Sequence, residues 1–124
     1  MKRLIFTVLA VCLVCCGCSP LPAAIITADA MADAANVAAP ILKENCVEPM
    51  QAALAAQDKA RGLEIDGRCK GPVAAYAVLQ AAHMALAAVI VECAAGKCTD
   101  LVSTLMKAGP AAAQLASEIA KVAK

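Results

Sequence analysis

Cysteine, aspartate and histidine are the side chains through which this sequence could do chemistry, and their spacing limits what that chemistry is. The eight cysteines form two groups: Cys12, Cys15, Cys16 and Cys18 lie close together near the start, and Cys46, Cys69, Cys93 and Cys98 are spread through the remainder. The C-x-x-C spacing occurs twice in the first group. It lies in an apolar run, however, whereas structural zinc sites are built in turns with polar surroundings. In the second group no two cysteines have that spacing, and His83 stands ten residues before Cys93, so no zinc site is expected there either. Cys93 and Cys98 form C-x4-C, which is not the spacing of a thioredoxin-type dithiol. Asp29 and Asp33, one helical turn apart, could bind a cation or act as paired carboxylates, but they are read instead as a solvated acidic face. The chain contains no G-x-S-x-G, H-E-x-x-H, phosphate-cradling glycine loop or C-x-x-C-H motif. With one histidine in 124 residues, a histidine-based triad has little to work with. The sequence therefore reads as a non-enzyme with no cofactor and no metal, and His83 reads as a helical side chain reaching the surface or a neighbouring carbonyl.

The first group of cysteines belongs to a different kind of signal. Lys2 and Arg3 precede an uncharged apolar run over residues 4–16 that ends in small residues, the three-part layout of a bacterial export signal. The run is short of the roughly 20 residues a single bilayer crossing needs. At its end, Val14-Cys15-Cys16-Gly17-Cys18-Ser19 resembles the lipobox of bacterial lipoproteins, with Gly17 as the small residue before the modified cysteine and Cys15 where the family usually has an aliphatic. The resemblance implies cleavage after residue 17 and a diacylglyceryl thioether plus an amide-linked acyl chain on Cys18. Two or three chains at about 0.8 kcal/mol per buried methylene give lasting membrane attachment, which one chain does not. Ser19 in the following position is compatible with sorting to the outer membrane. The resemblance covers the signal alone. The other readings of this segment are an ordinary cleaved secretory signal and an uncleaved anchor.

Export sets the redox compartment for the second group. Four cysteines in an oxidising space read as two disulfides among Cys46, Cys69, Cys93 and Cys98. Sequential pairing closes short loops and is favoured. A helical hairpin turning near Gly67 would instead bring Cys46 level with Cys93 or Cys98, so crossed pairings stay open. A staple of this kind is expected on compositional grounds. About a hundred mature residues make one modest core. Tyr76 is the only aromatic residue after the signal, and alanine-rich cores bury little area per residue. Without Lys2 and Arg3 the eleven basic residues become nine, against ten acidic, so no strong charge steers the chain to nucleic acid.

The fold class expected is all-α: a small antiparallel bundle of three to five helices, disulfide-stapled, after an N-terminal signal helix. Its divisions are a signal over 1–17, a lipidated N-terminus and extended tether over 18–22, and a helical domain over 23–124. Ile26, Ala30, Ala34, Val37 and Ile41 recur at helical steps as the inward stripe of the first helix, with Asp29, Asp33 and Asn36 on another face. Pro40 should bend or restart that helix. A second segment over 49–60 turns Met50, Ala53 and Leu54 inward. Residues 62–71, GLEIDGRCKG, read as a surface loop tied down through Cys69. Pro72 then opens the most apolar helix, over 73–91, expected as the central buried helix of a soluble bundle; the competing reading is a membrane span. Gly96 suits a left-handed cap, Thr99 or Asp100 can cap the last helix, and Gly109-Pro110 should break or kink it. Leu105, Ala108, Ala112, Leu115, Ile119 and Val122 form its stripe.

The function expected is a small lipid-anchored envelope protein, outer-membrane-attached and facing the periplasm, that binds or supports an envelope protein partner. Its size suits an exclusion or receptor-blocking lipoprotein of a phage or mobile element. The alternative is an integral membrane protein spanning through residues 73–91, such as a channel, lysis or immunity component.

Overall fold

A computed structural model describes residues 20–123, and these are all-helical, with no strand among them. Helix α1 spans Pro20–Leu42, passes through a π-helical turn at Lys43–Val47 and continues as α2, Glu48–Ala55. Helix α3 is Lys59–Ala94 and α4 is Leu101–Val122. The described residues thus form three helical rods joined by two tight turns. At 1.5 Å per residue the first rod, Pro20–Ala55, and α3 are each about 54 Å long.

Pro20 and Pro22 stand at the beginning of α1 as described, where proline's fixed φ suits the helix. Residues 20–22, expected as an extended tether, are therefore helical. The buried stripe of α1 is Ala24, Met31, Ala38 and Leu42, at steps of seven and four. Ile26 and Val37, expected to face inward, are 69% and 64% exposed, and Ala34 and Ile41 sit at the edge. The acids Asp29 and Asp33 and the amide of Asn36 do face solvent.

Proline shapes the middle of the first rod without breaking it. Helical structure runs on past Pro40, and three residues later the backbone widens, the Glu48 amide bonding to the Lys43 carbonyl five residues back. Pro49 has no amide to offer the Asn45 carbonyl, and Arg68 Nη2 on α3 donates to that oxygen instead, at 3.0 Å. Asn45 Nδ2 in turn donates to the Ile41 carbonyl at 2.9 Å. The widened turn carries Cys46, buried, to α3, where it is bonded to Cys69.

The turn after α2 is a Schellman motif: the Gln57 and Asp58 amides donate back to the Leu54 and Ala53 carbonyls at 3.1 and 2.9 Å. Gln57 occupies the left-handed position (φ 54°) that glycine usually takes. Asp58 then caps α3, its Oδ1 accepting from the Arg61 amide at 3.0 Å. The second turn repeats the design with the expected glycine. Gly96 (φ 97°) and Lys97 donate to the Cys93 and Glu92 carbonyls at 3.0 and 2.9 Å, and Cys93 is bonded to Cys98 across it.

Residues 62–71 are helical, not a loop, and Pro72 lies inside α3, not at its start. The glycines cost helix propensity, about 1 kcal/mol each. Ile65, Cys69 and Pro72 are nonetheless buried, so packing against the first rod and the bond to Cys46 hold the stretch helical. Likewise α4 runs unbroken through Gly109 and Pro110. Its buried side is Leu101, Ala108, Ala111, Leu115, Ile119 and Val122, with Leu105 and Ala112 at the margin, close to the stripe read from the sequence. Met50 and Ala53 pack inward on α2, whereas Leu54 is 69% exposed.

Helix α4 packs on both α1 and α3, and α2 packs on α3. The result is a three-helix stem (20–42, 73–94 and 101–122) carrying a two-helix tip (43–72). The stem core is built on Met31, Leu79, Leu86, Leu101 and Leu115, the largest fully buried non-proline side chains.

Candidate functional site

The residues singled out in the sequence for possible chemistry lie apart in the structure. His83 is half-buried on α3, Asp29 and Asp33 lie exposed on α1, and no group of three or more His, Cys, Asp or Glu there could hold a metal ion. Cys46, Cys69, Cys93 and Cys98 are consumed in two disulfides, so none is a free nucleophile. The bonds join Cys46 to Cys69 and Cys93 to Cys98, the sequential pairing. Cys18, the lipidation residue implied by the lipobox, and the signal expected over 1–17 lie outside the described residues.

Two surfaces have enough organisation to bind something. The first is an open cleft of about 460 Å³ at the tip, lined by Pro49, Asp58, Arg61, Glu64, Ile65 and Arg68. It arises because α4 ends at Val122 while α3 and α2 continue. Gly71, whose α-carbon faces Glu118 of α4, lies seven residues (about two turns) from Glu64, so the cleft continues the groove that α4 fills lower down. Arginine and carboxylate alternate along it. Nothing in the sequence pattern announced the cleft, because residues 62–71 read as a loop.

The second surface is the outside of α3. Over 73–91 the inward positions Ala75, Leu79 and Leu86 are buried, and the outward ones, Ala74, Ala77, Val78, Ala81, Met84, Ala85 and Ala88, are apolar as well. Only 17% of the most apolar window of α3 is buried, so α3 is not the enclosed central helix expected from its composition. The first rod and α3 are both long and apolar enough to cross a bilayer by length and composition. The outer faces of the other stem helices differ: α1 exposes Asp29, Asp33 and Asn36, and α4 exposes Ser103, Lys107, Gln114, Ser117 and Lys121. Apolar side chains are exposed there too, Ile25, Ile26 and Val37 on α1 and Val102 and Met106 on α4, so those two sides of the stem are mixed, whereas Gln80 is the one exposed polar side chain of α3 over 73–91.

No protein-family model, curated protein or solved structure matches the chain.

Proposed function

We propose that this chain is a small envelope lipoprotein, anchored through Cys18, that acts as a rigid binding or structural element and not as an enzyme. The single observation that carries the reading is the set of three disulfide-tied helical rods, which present extended faces and hold no metal-binding cluster among the described residues. Cys18 precedes Pro20, the first described residue, by two positions, a reach of at most about 7 Å. A lipid there would seat the stem against the membrane and point the charged tip away from it, about 50 Å out along the rod. Such a protein works by occupying or bridging a surface, as exclusion and receptor-blocking proteins do. Intact mass in a Gram-negative host tests it. The expected mass is that of residues 18–124 plus about three acyl chains, less four hydrogens for the two disulfides. The unprocessed mass overturns the reading.

The alternative, an integral protein spanning through residues 73–91, is favoured by one observation, the apolar outer face of α3. Against it stand Asp29 and Asp33 on α1 and Lys107 and Gln114 on α4, all exposed beside that segment in the stem.

A further inference from the structure

The apolar face of α3 is bounded at both ends by charge, and the pattern is symmetric. The outward residues Lys70, Ala74, Ala77, Ala81, Ala85, Ala88 and Glu92 are all exposed, and no charged residue lies between Lys70 and Glu92. Their spacing, 4-3-4-4-3-4, reads the same in both directions about Ala81. Eleven residues is close to three helical turns, so Lys70, Ala81 and Glu92 share one face. Val78 and Met84, both exposed, stand at equal distances on either side of Ala81. Neither Lys70 nor Glu92 has an ion-pair partner among the described residues.

We infer that this face is an interface with a second copy of the chain, in which two α3 helices pack antiparallel about a two-fold axis through Ala81. That arrangement is isologous. It sets Lys70 against Glu92 of the second copy and Glu92 against the second copy's Lys70, and it lays Val78 against the second copy's Met84. The alanines let the two backbones approach closely, as small residues do at helix interfaces. A parallel pairing would set Lys70 against its own copy and Glu92 against its own, like charges at both ends of an apolar seam. The inference concerns α3 alone and does not depend on whether Cys18 is lipidated.

Disulfide crosslinking in envelopes of cells expressing the full chain tests it, with the wild-type chain as background. Ala81→Cys should give a covalent dimer with copper phenanthroline. Ala74→Cys and Ala88→Cys should each give none alone, and a dimer when the two are co-expressed. Lys70→Glu should abolish the Ala81→Cys dimer, and Lys70→Glu with Glu92→Lys should restore it. Dimers from all three single variants would mean parallel pairing and overturn the inference. So would no dimer from any, whether the new thiols react with a membrane-impermeant maleimide, as in a monomer, or only with a permeant one, as in a bilayer. A Lys70→Glu chain that still crosslinks at position 81 would overturn the charge-set register.

Discussion

The tip and the stem are held together by different means. Between positions 43 and 72 the tip carries five acidic and five basic residues, whereas the stem segments 20–42, 73–94 and 101–122 carry six charged residues in all. In the stem each helix meets two others and can bury a row of large side chains. In the tip the first rod and α3 pack chiefly on each other, and the buried set shrinks to Cys46, Ala53, Ile65, Cys69 and Pro72. A two-helix section that buries so little depends on covalent and backbone devices: the Cys46–Cys69 bond, the Arg68 donation to the Asn45 carbonyl and the Asp58 cap. The surface ion pair of Lys43 with Glu48, at 3.9 Å and exposed on both sides, adds little to these.

The sharpest way to break the stem is Leu86→Ala, at a fully buried position, which should cost about 3 kcal/mol in denaturant unfolding and lower protection across all three stem helices. Removing the tip's staple with Cys46→Ser and Cys69→Ser should cost about 3 kcal/mol as well, through the loop of 23 residues it closes. Its signature differs: amide exchange should rise first over 43–72 while the stem stays protected. Asp58→Ala, which frees the Arg61 amide, should cost about 1 kcal/mol by thermal melting. The smallest change sharpens the comparison by sign. Gly67→Ala, with open space where its Cβ would sit, should stabilise by about 0.5–1 kcal/mol because the position is helical. Gly96→Ala should destabilise by a similar amount, because its φ of 97° suits glycine alone. A neutral or destabilising Gly67→Ala would indicate that residues 62–71 are a loop after all.

That contrast also marks how far the sequence could be read. Cap and stripe signals were legible where a single helix decides them, as at Gly96 and along Leu115, Ile119 and Val122. Gly62, Gly67, Gly71 and Pro72 misled because propensity is local, while the burial of Ile65 and Cys69 and the bond to Cys46 are not. Proline positions could not separate kink from break, since the outcome rests on who takes the freed carbonyl; at Asn45 it is Arg68, 23 residues away. The inward stripe of α1 was misassigned because alanine marks neither face. Ala24 and Ala38 are buried and Ala30 is exposed, and only Met31 and Leu42 give the register. The tip cleft needed the knowledge that α4 stops short of α3, which no local pattern carries.

We propose that Cys18, and not the helices, holds the protein at the membrane. Carbonate extraction of the Cys18→Ala chain tests it most directly. Release to the soluble fraction is the result expected, since the exposed Asp29 and Asp33 of α1 and Lys107 of α4 do not suit a bilayer interior. Retention in the membrane pellet would contradict it and would make the apolar face of α3 a lipid-facing surface.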